Sequence, residues 1–171
     1  MNENHAHLTI RPAAEPDLPL VLDFIRGLAE YERLSHLVTA TEETLRESLF
    51  GTQPGAEVLL AFDRAAAVGF AVFFHNFSTF LGRRGLWLED LYVKPECRRK
   101  GYGRALLLHV ARIAHERGCG RFEWAALDWN TPAIDFYRSL GAVALDDWTI
   151  FRVTGAALER LAAMGSSPDI P

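Results

Sequence analysis

Hydrophobic and polar positions recur along this chain with two periods, and the switches between them mark the elements. Residues 7–11 alternate with period two, as a half-buried strand does, and Pro12 stops the run. Over residues 17–32 the apolar positions Leu20, Val21, Phe24, Ile25, Leu28 and Tyr31 fall on one helical face. A short helix through Leu49 follows, begun either by a Thr39–Glu42 capping box or by Thr41 as a simple cap. Residues 58–62 and 67–77 are rich in β formers and read as a hairpin with a short connection. A polar, glycine-containing loop leads to a further strand at 86–93. Residues 103–117 predict the main helix, with Leu106, Leu107, Val110, Ala111 and Ile113 facing inward and Gly118 as its stop. The next strand, 122–127, is expected beside the opening strand if the order is parallel after a crossover. Asn130-Thr131-Pro132 starts a helix that ends at Gly141. Residues 147–153 predict a last strand, 158–164 a helical tail and 165–171 a disordered end.

Length narrows this to one domain, since 171 residues suffice for a proper core and neither repeat nor linker interrupts them. A net charge of −4 gives no reason to expect a nucleic-acid partner. The longest apolar run, residues 65–74, contains Gly69 and is too short to span a bilayer, so no membrane partner is expected. Residues 1–13 lack the basic start and apolar core of a signal peptide, and Cys97 and Cys119 fit no disulfide framework. The expectation is a reducing cytoplasm. His109 and His115 lie on different helix faces and no HExxH occurs, so no metal site is expected.

The chemistry concentrates at residues 86–108. A strand ends in Glu89-Asp90-Leu91-Tyr92-Val93, a turn carries Arg98-Arg99-Lys100-Gly101-Tyr102-Gly103, and an amphipathic helix follows. A strand end of this kind can hydrogen-bond an extended chain, while a glycine loop at a helix start offers N–H groups to phosphate. The turn is not a dinucleotide fingerprint, because the third glycine position falls on Leu106. It is not a P-loop, because no Gly-Lys-Ser/Thr occurs. Taken alone, it is equally a solvated basic loop.

The R-x-x-G-x-G segment and its preceding strand resemble the acyl-CoA-binding motif of the GNAT superfamily of N-acetyltransferases. The resemblance runs on through Asp128-Trp129-Asn130 and Phe136-Tyr137-Arg138-Ser139-Leu140-Gly141-Ala142. Ile10-Arg11-Pro12-Ala13 and Leu28-Ala29-Glu30-Tyr31-Glu32 look like the diamine branch, which holds the spermidine/spermine and thialysine acetyltransferases. It implies an α/β GNAT fold: a mostly antiparallel mixed sheet of six to seven strands, one splayed parallel pair, and four to five helices. It also implies acetyl-CoA as cofactor and a homodimer. Leu91, Tyr92 and Val93 would offer backbone groups to the pantetheine arm. Arg98, Arg99, Lys100, Gly101, Tyr102, Gly103 and Arg104 would cradle the pyrophosphate. Asn130, Thr131, Pro132 and Ala133 would flank the cofactor, with Tyr137 near the thioester sulfur.

Acetyl transfer to an amine asks for few groups. A primary amine is protonated near neutrality and must lose that proton to attack. Glu89 is read as the base that takes it, or as a partner for the substrate ammonium. Asp90 is read as fixing the loop. A tyrosine hydroxyl ordinarily keeps its proton to about pH 10, so Tyr137 suits protonation of the departing thiolate, although its helical spacing also fits core packing. Cys97 fits a nucleophile's role poorly, and direct attack requires no covalent intermediate. By resemblance Tyr31 and Glu32 line the acceptor site. Ser78 and Thr79 stand where polyamine enzymes place an acidic residue and an aromatic, so the reading leans to a small amine or an amino acid with a side-chain amine. A peptide amine as acceptor, or a CoA-binding module without catalysis, remains the alternative.

Overall fold

Five strands form one sheet, in the order β1-β2-β3-β4-β5, in the computed structural model, which describes residues 7–165. Contacts gather the chain into two compact units, Met1–Ala125 and Ala126–Pro171. The first holds β1 (Leu8–Pro12), α1 (Leu18–Tyr31), α2 (Glu42–Phe50), β2 (Glu57–Asp63), β3 (Ala66–Ser78), β4 (Arg83–Val93), α3 (Tyr102–Glu116) and β5 (Phe122–Trp124). The second holds α4 (Thr131–Ser139) and α5 (Gly155–Met164). Among the described residues no helix is long and apolar enough to cross a membrane.

The local signals explain most boundaries. α1 opens with Pro19 in its first turn and ends where Arg33 enters the left-handed region at φ 62°. For α2, Thr41 is the cap: its Oγ1 accepts from the Thr44 N–H, and the Thr41 N–H donates back to Thr44 Oγ1. The Thr39–Glu42 box is not formed. Val58, Leu59, Leu60 and Ala61 are all buried, so β2 is covered on both faces. Val58 and Leu60 join Val21 and Phe24 of α1, Phe70 and Tyr92 in one apolar cluster. Leu59 and Ala61 point the other way, where α3 buries Leu106, Leu107, Val110 and Ala114.

Three expectations are corrected. The strand that follows α3 pairs in parallel with β4, Leu86 against Phe122 and Leu88 against Trp124, and does not lie beside β1. A β-α-β crossover through a 15-residue helix returns naturally to a neighbouring parallel position, and β4 was the strand it left. That strand also stops at Trp124 instead of reaching residue 127. Residues 147–153 form no strand, because alternation makes a strand only where another strand completes its ladder. The sheet of the described residues therefore has five strands rather than six or seven. Of the tail at 165–171, residues 166–171 lie outside the described residues.

Candidate active site

A single extra residue in β4 shapes the site. Val72 pairs with Asp90 and Phe73 with Leu88, so Glu89 is a bulge with no residue opposite it on β3. Backbone polarity records the same insertion. Leu86 N–H donates to the Arg121 carbonyl, toward β5, whereas Lys94 N–H donates to the Val68 carbonyl, toward β3. Strict alternation would aim both residues the same way. Pairing with β5 ends at Leu88, so beyond the bulge Leu91 and Val93 direct their backbone groups to an edge without a neighbouring strand among the described residues. Tyr92 faces β3 instead. Its ring is buried against Phe24 and Phe70, at centroid distances of 6.0 and 6.4 Å.

The loop that follows is built to present N–H groups. Arg99 and Gly101 both take left-handed φ, 63° and 82°, a turn geometry found in anion-binding concavities. In α3 the ladder begins with Ala105 N–H donating to the Gly101 carbonyl, so the first-turn N–H groups, those of Gly103 and Arg104 included, lie outside it. Glycine at 101 answers a backbone demand. Glycine at 103 does not: a Cβ there would meet only Val93 Cγ2, at 3.6 Å, an ordinary contact. The fold has room for a Cβ at 103, and its absence keeps the helix start open to close approach. Arg99, Lys100 and Arg104 are exposed and enter no ion pair among the described residues. Unpaired cations, open N–H groups and an unshared strand edge together suit an extended carrier with a pyrophosphate.

Two members of the motif face inward. Tyr102 is buried and its hydroxyl donates to Asp63 Oδ2 at 2.6 Å, which ties the start of α3 to the end of β2. That bond, with burial second, pushes the phenol up to about 12. Arg98 is half-buried: its Nε donates to the Val93 carbonyl at 3.1 Å, and its guanidinium stacks 4.2 Å from the Tyr31 ring centroid.

Asp90 lies close enough to two other carboxylates, Glu89 and Glu32, to feel their charge. Glu32 caps α1 and is half-buried, and burial raises its pKa. Glu89 is exposed and its Oε2 accepts from Trp87 Nε1–H at 2.8 Å. Asp90 is pushed up to about 6, first by burial and then by Glu89 and Glu32. A carboxylate poised near neutrality is suited to general base work, which the reading of Asp90 as a loop-fixing residue passes over. Neighbours in a strand ordinarily point to opposite faces, and only the bulge reveals what Glu89-Asp90 does here.

The remaining candidates stand on α4. Asn130 is its N-cap residue, with its carbonyl accepting from Ala133 and Ile134 N–H, and Pro132 occupies the first turn beside Thr131. Tyr137 is half-buried, with its ring centroid 5.3 Å from that of Phe136. Gly141, at φ 90°, ends the turn, and Ala142 N–H donates to the Tyr137 carbonyl. The first unit thus gathers Glu32, Glu89 and Asp90 beside residues 91–104, and the second gathers residues 130–133 and 137 on one helix.

The sequence profile of the acetyltransferase (GNAT) family matches residues 24–142. Thialysine N-epsilon-acetyltransferase of Sus scrofa is 42% identical over 168 residues, covering 92% of this chain and 98% of that protein. L-ornithine N5-acetyltransferase NATA1 of Arabidopsis thaliana is 32% identical over 197 residues, covering 89% and 86%. Among solved structures, an integron cassette protein from V. cholerae superposes with a TM-score of 0.76 at 29% identity, covering 91% of this chain and 98% of that one.

Proposed function

Because the chain belongs to the acetyltransferase (GNAT) family, and is an acetyltransferase, we propose that it moves the acetyl group of acetyl-CoA onto a primary amine of a small molecule. The observation that carries the reading is Asp90, set at the bulge directly ahead of the cradle in the chain and raised toward neutrality by burial, by Glu89 and by Glu32 from the end of α1. Acetyl-CoA supplies an activated thioester. Leu91 and Val93 hold its pantetheine arm along the open edge, and Arg99, Lys100, Arg104 and the first-turn N–H groups of α3 hold its pyrophosphate.

Glu32 and Glu89 draw in the ammonium. Trp87 pins Glu89 in place as an anchor. Asp90 takes the ammonium proton, since its carboxyl is the one raised toward neutrality by burial and by its two neighbours. The freed amine would attack the thioester carbonyl directly in a ternary complex, forming the C–N bond as the C–S bond to CoA breaks, and N–H groups of the strand edge would be the donors available to the charge on that oxygen. By the family resemblance, Tyr137 returns a proton to the departing thiolate. The same resemblance supports a homodimer.

The relatives that act on thialysine and ornithine support an amino acid with a side-chain amine as acceptor. Ser78 and Thr79 support it too: Ser78 is buried, with its Oγ accepting from Leu81 N–H, and no acidic partner for a long polycation stands at either position. Free-thiol release with acetyl-CoA over thialysine, ornithine, lysine, diamines, polyamines and peptides tests the reading. Turnover of the amino acids is expected. Turnover of peptides alone would replace it.

A further inference from the structure

Arg98 opens the R-x-x-G-x-G motif, yet its environment differs from that of the other loop cations. Arg99, Lys100 and Arg104 are exposed, whereas Arg98 is half-buried. Its Nε donates to the carbonyl of Val93, the last residue of β4, at 3.1 Å. Its guanidinium lies 4.2 Å from the ring centroid of Tyr31, the last residue of α1, and 5.9 Å from that of Tyr92. A planar guanidinium satisfies such a place in a way an ammonium cannot, by stacking on one ring while its edge donates to a carbonyl. One side chain therefore joins three parts: the strand edge, the phosphate loop, and the helix end that carries Tyr31 and Glu32.

We infer that Arg98 is a positioning residue that couples the acceptor end of α1 to the cofactor loop, not a ligand of the pyrophosphate. Tyr31 is thereby part of the cofactor site at one remove. Losing its ring frees Arg98, and with it the loop whose left-handed Arg99 directly follows. Coupling of this kind is reciprocal, so an amine that presses on Tyr31 changes the affinity for CoA by the same factor as CoA changes the affinity for the amine. The inference rests on the acetyltransferase reading above for the identity of the two ligands.

Calorimetric titration of CoA into the full chain, without amine, tests it. Tyr31→Leu is expected to weaken CoA binding about threefold to tenfold, the range of a partly desolvated cation–π contact. Tyr31→Phe keeps the ring and should stay within about twofold of wild type. In the double variant Tyr31→Leu/Arg98→Met, the loss should match that of Arg98→Met alone to within about twofold, because the two residues act as one unit. Arg98→Lys keeps the charge and loses the plane, and should bind CoA as weakly as Arg98→Met. Unchanged affinity in Tyr31→Leu, losses that multiply in the double variant, or full affinity in Arg98→Lys overturns the coupling. Wild-type protein that does not bind CoA overturns the proposed function instead.

Discussion

Asp90→Asn should stabilise the protein at the same pH at which it stops turnover. The Asp90 carboxyl is pushed from 3.8 to about 6, by burial first and then by Glu89 and Glu32. A folded-state pKa above the unfolded one means that the native state holds this proton more tightly than the unfolded chain does. The contribution to stability is complete below the unfolded value and is lost as pH rises through the folded one. From about pH 6 upward, the ionised Asp90 therefore works against the fold. The gap from 3.8 to about 6 converts to about 3 kcal/mol, an upper figure because the side chain is only half-buried and water screens part of it. An amide has no charge to desolvate. Urea unfolding should accordingly show Asp90→Asn more stable than wild type by about 1–3 kcal/mol at pH 8, with the gain gone near pH 4. In the same preparations kcat/KM for the amine at pH 8 should fall by about 10²–10⁴. A variant less stable than wild type at pH 8 would mean that the fold needs the charge and that the carboxylate is paired. Wild-type turnover in the variant would remove Asp90 from the chemistry.

Three further substitutions divide the site by role. Gly103→Ala should leave the melting temperature near that of wild type, since its Cβ meets only Val93 Cγ2 at an ordinary distance, yet weaken CoA binding at least about tenfold by calorimetry through blocking approach to the helix start. Glu32→Gln should raise KM for the amine with little change for acetyl-CoA. It also removes a like charge from Asp90, so the acid limb of the kcat/KM profile should move to lower pH, by less than the full gap because burial is the larger cause. Tyr137→Phe should lower kcat far more than it weakens acetyl-CoA binding, as steady-state kinetics beside calorimetry would read.

The sequence announces the elements whose periodicity spans several turns or a full hairpin, and α1, α3 and the β2–β3 pair fall within a residue or two of their expected places. Stop signals such as Pro12 and Gly118 act locally and are therefore visible in one dimension. The failures share one cause, which is that pairing is not local. Residues 147–153 alternate as a strand does, yet alternation names no partner. In the site, Gly101 and Gly103 look alike in sequence, and only the structure separates a left-handed turn from an open approach. Arg98 and Arg99 are adjacent and identical in kind. One stacks on Tyr31 and the other stays exposed, a distinction set by where α1 ends.

The bulge decides why Glu89 and Asp90, chemically almost alike, sit in different environments. Had β4 kept one register, even-numbered residues would face β5 throughout, as Leu86 does, and Leu91 and Val93 would spend their backbone groups on β3. The inserted Glu89 reverses that order from Asp90 onward. It frees an edge for an extended ligand in the same step that draws the Asp90 carboxyl under cover. Glu89 itself stays exposed, fixed by Trp87. Being solvated, it can meet a cation. Asp90 is desolvated and faces two like charges, so it keeps its charge only at a cost, which makes it the group that gains by taking the ammonium's proton. The proposed base and the proposed cofactor edge are thus two consequences of one residue inserted into one strand.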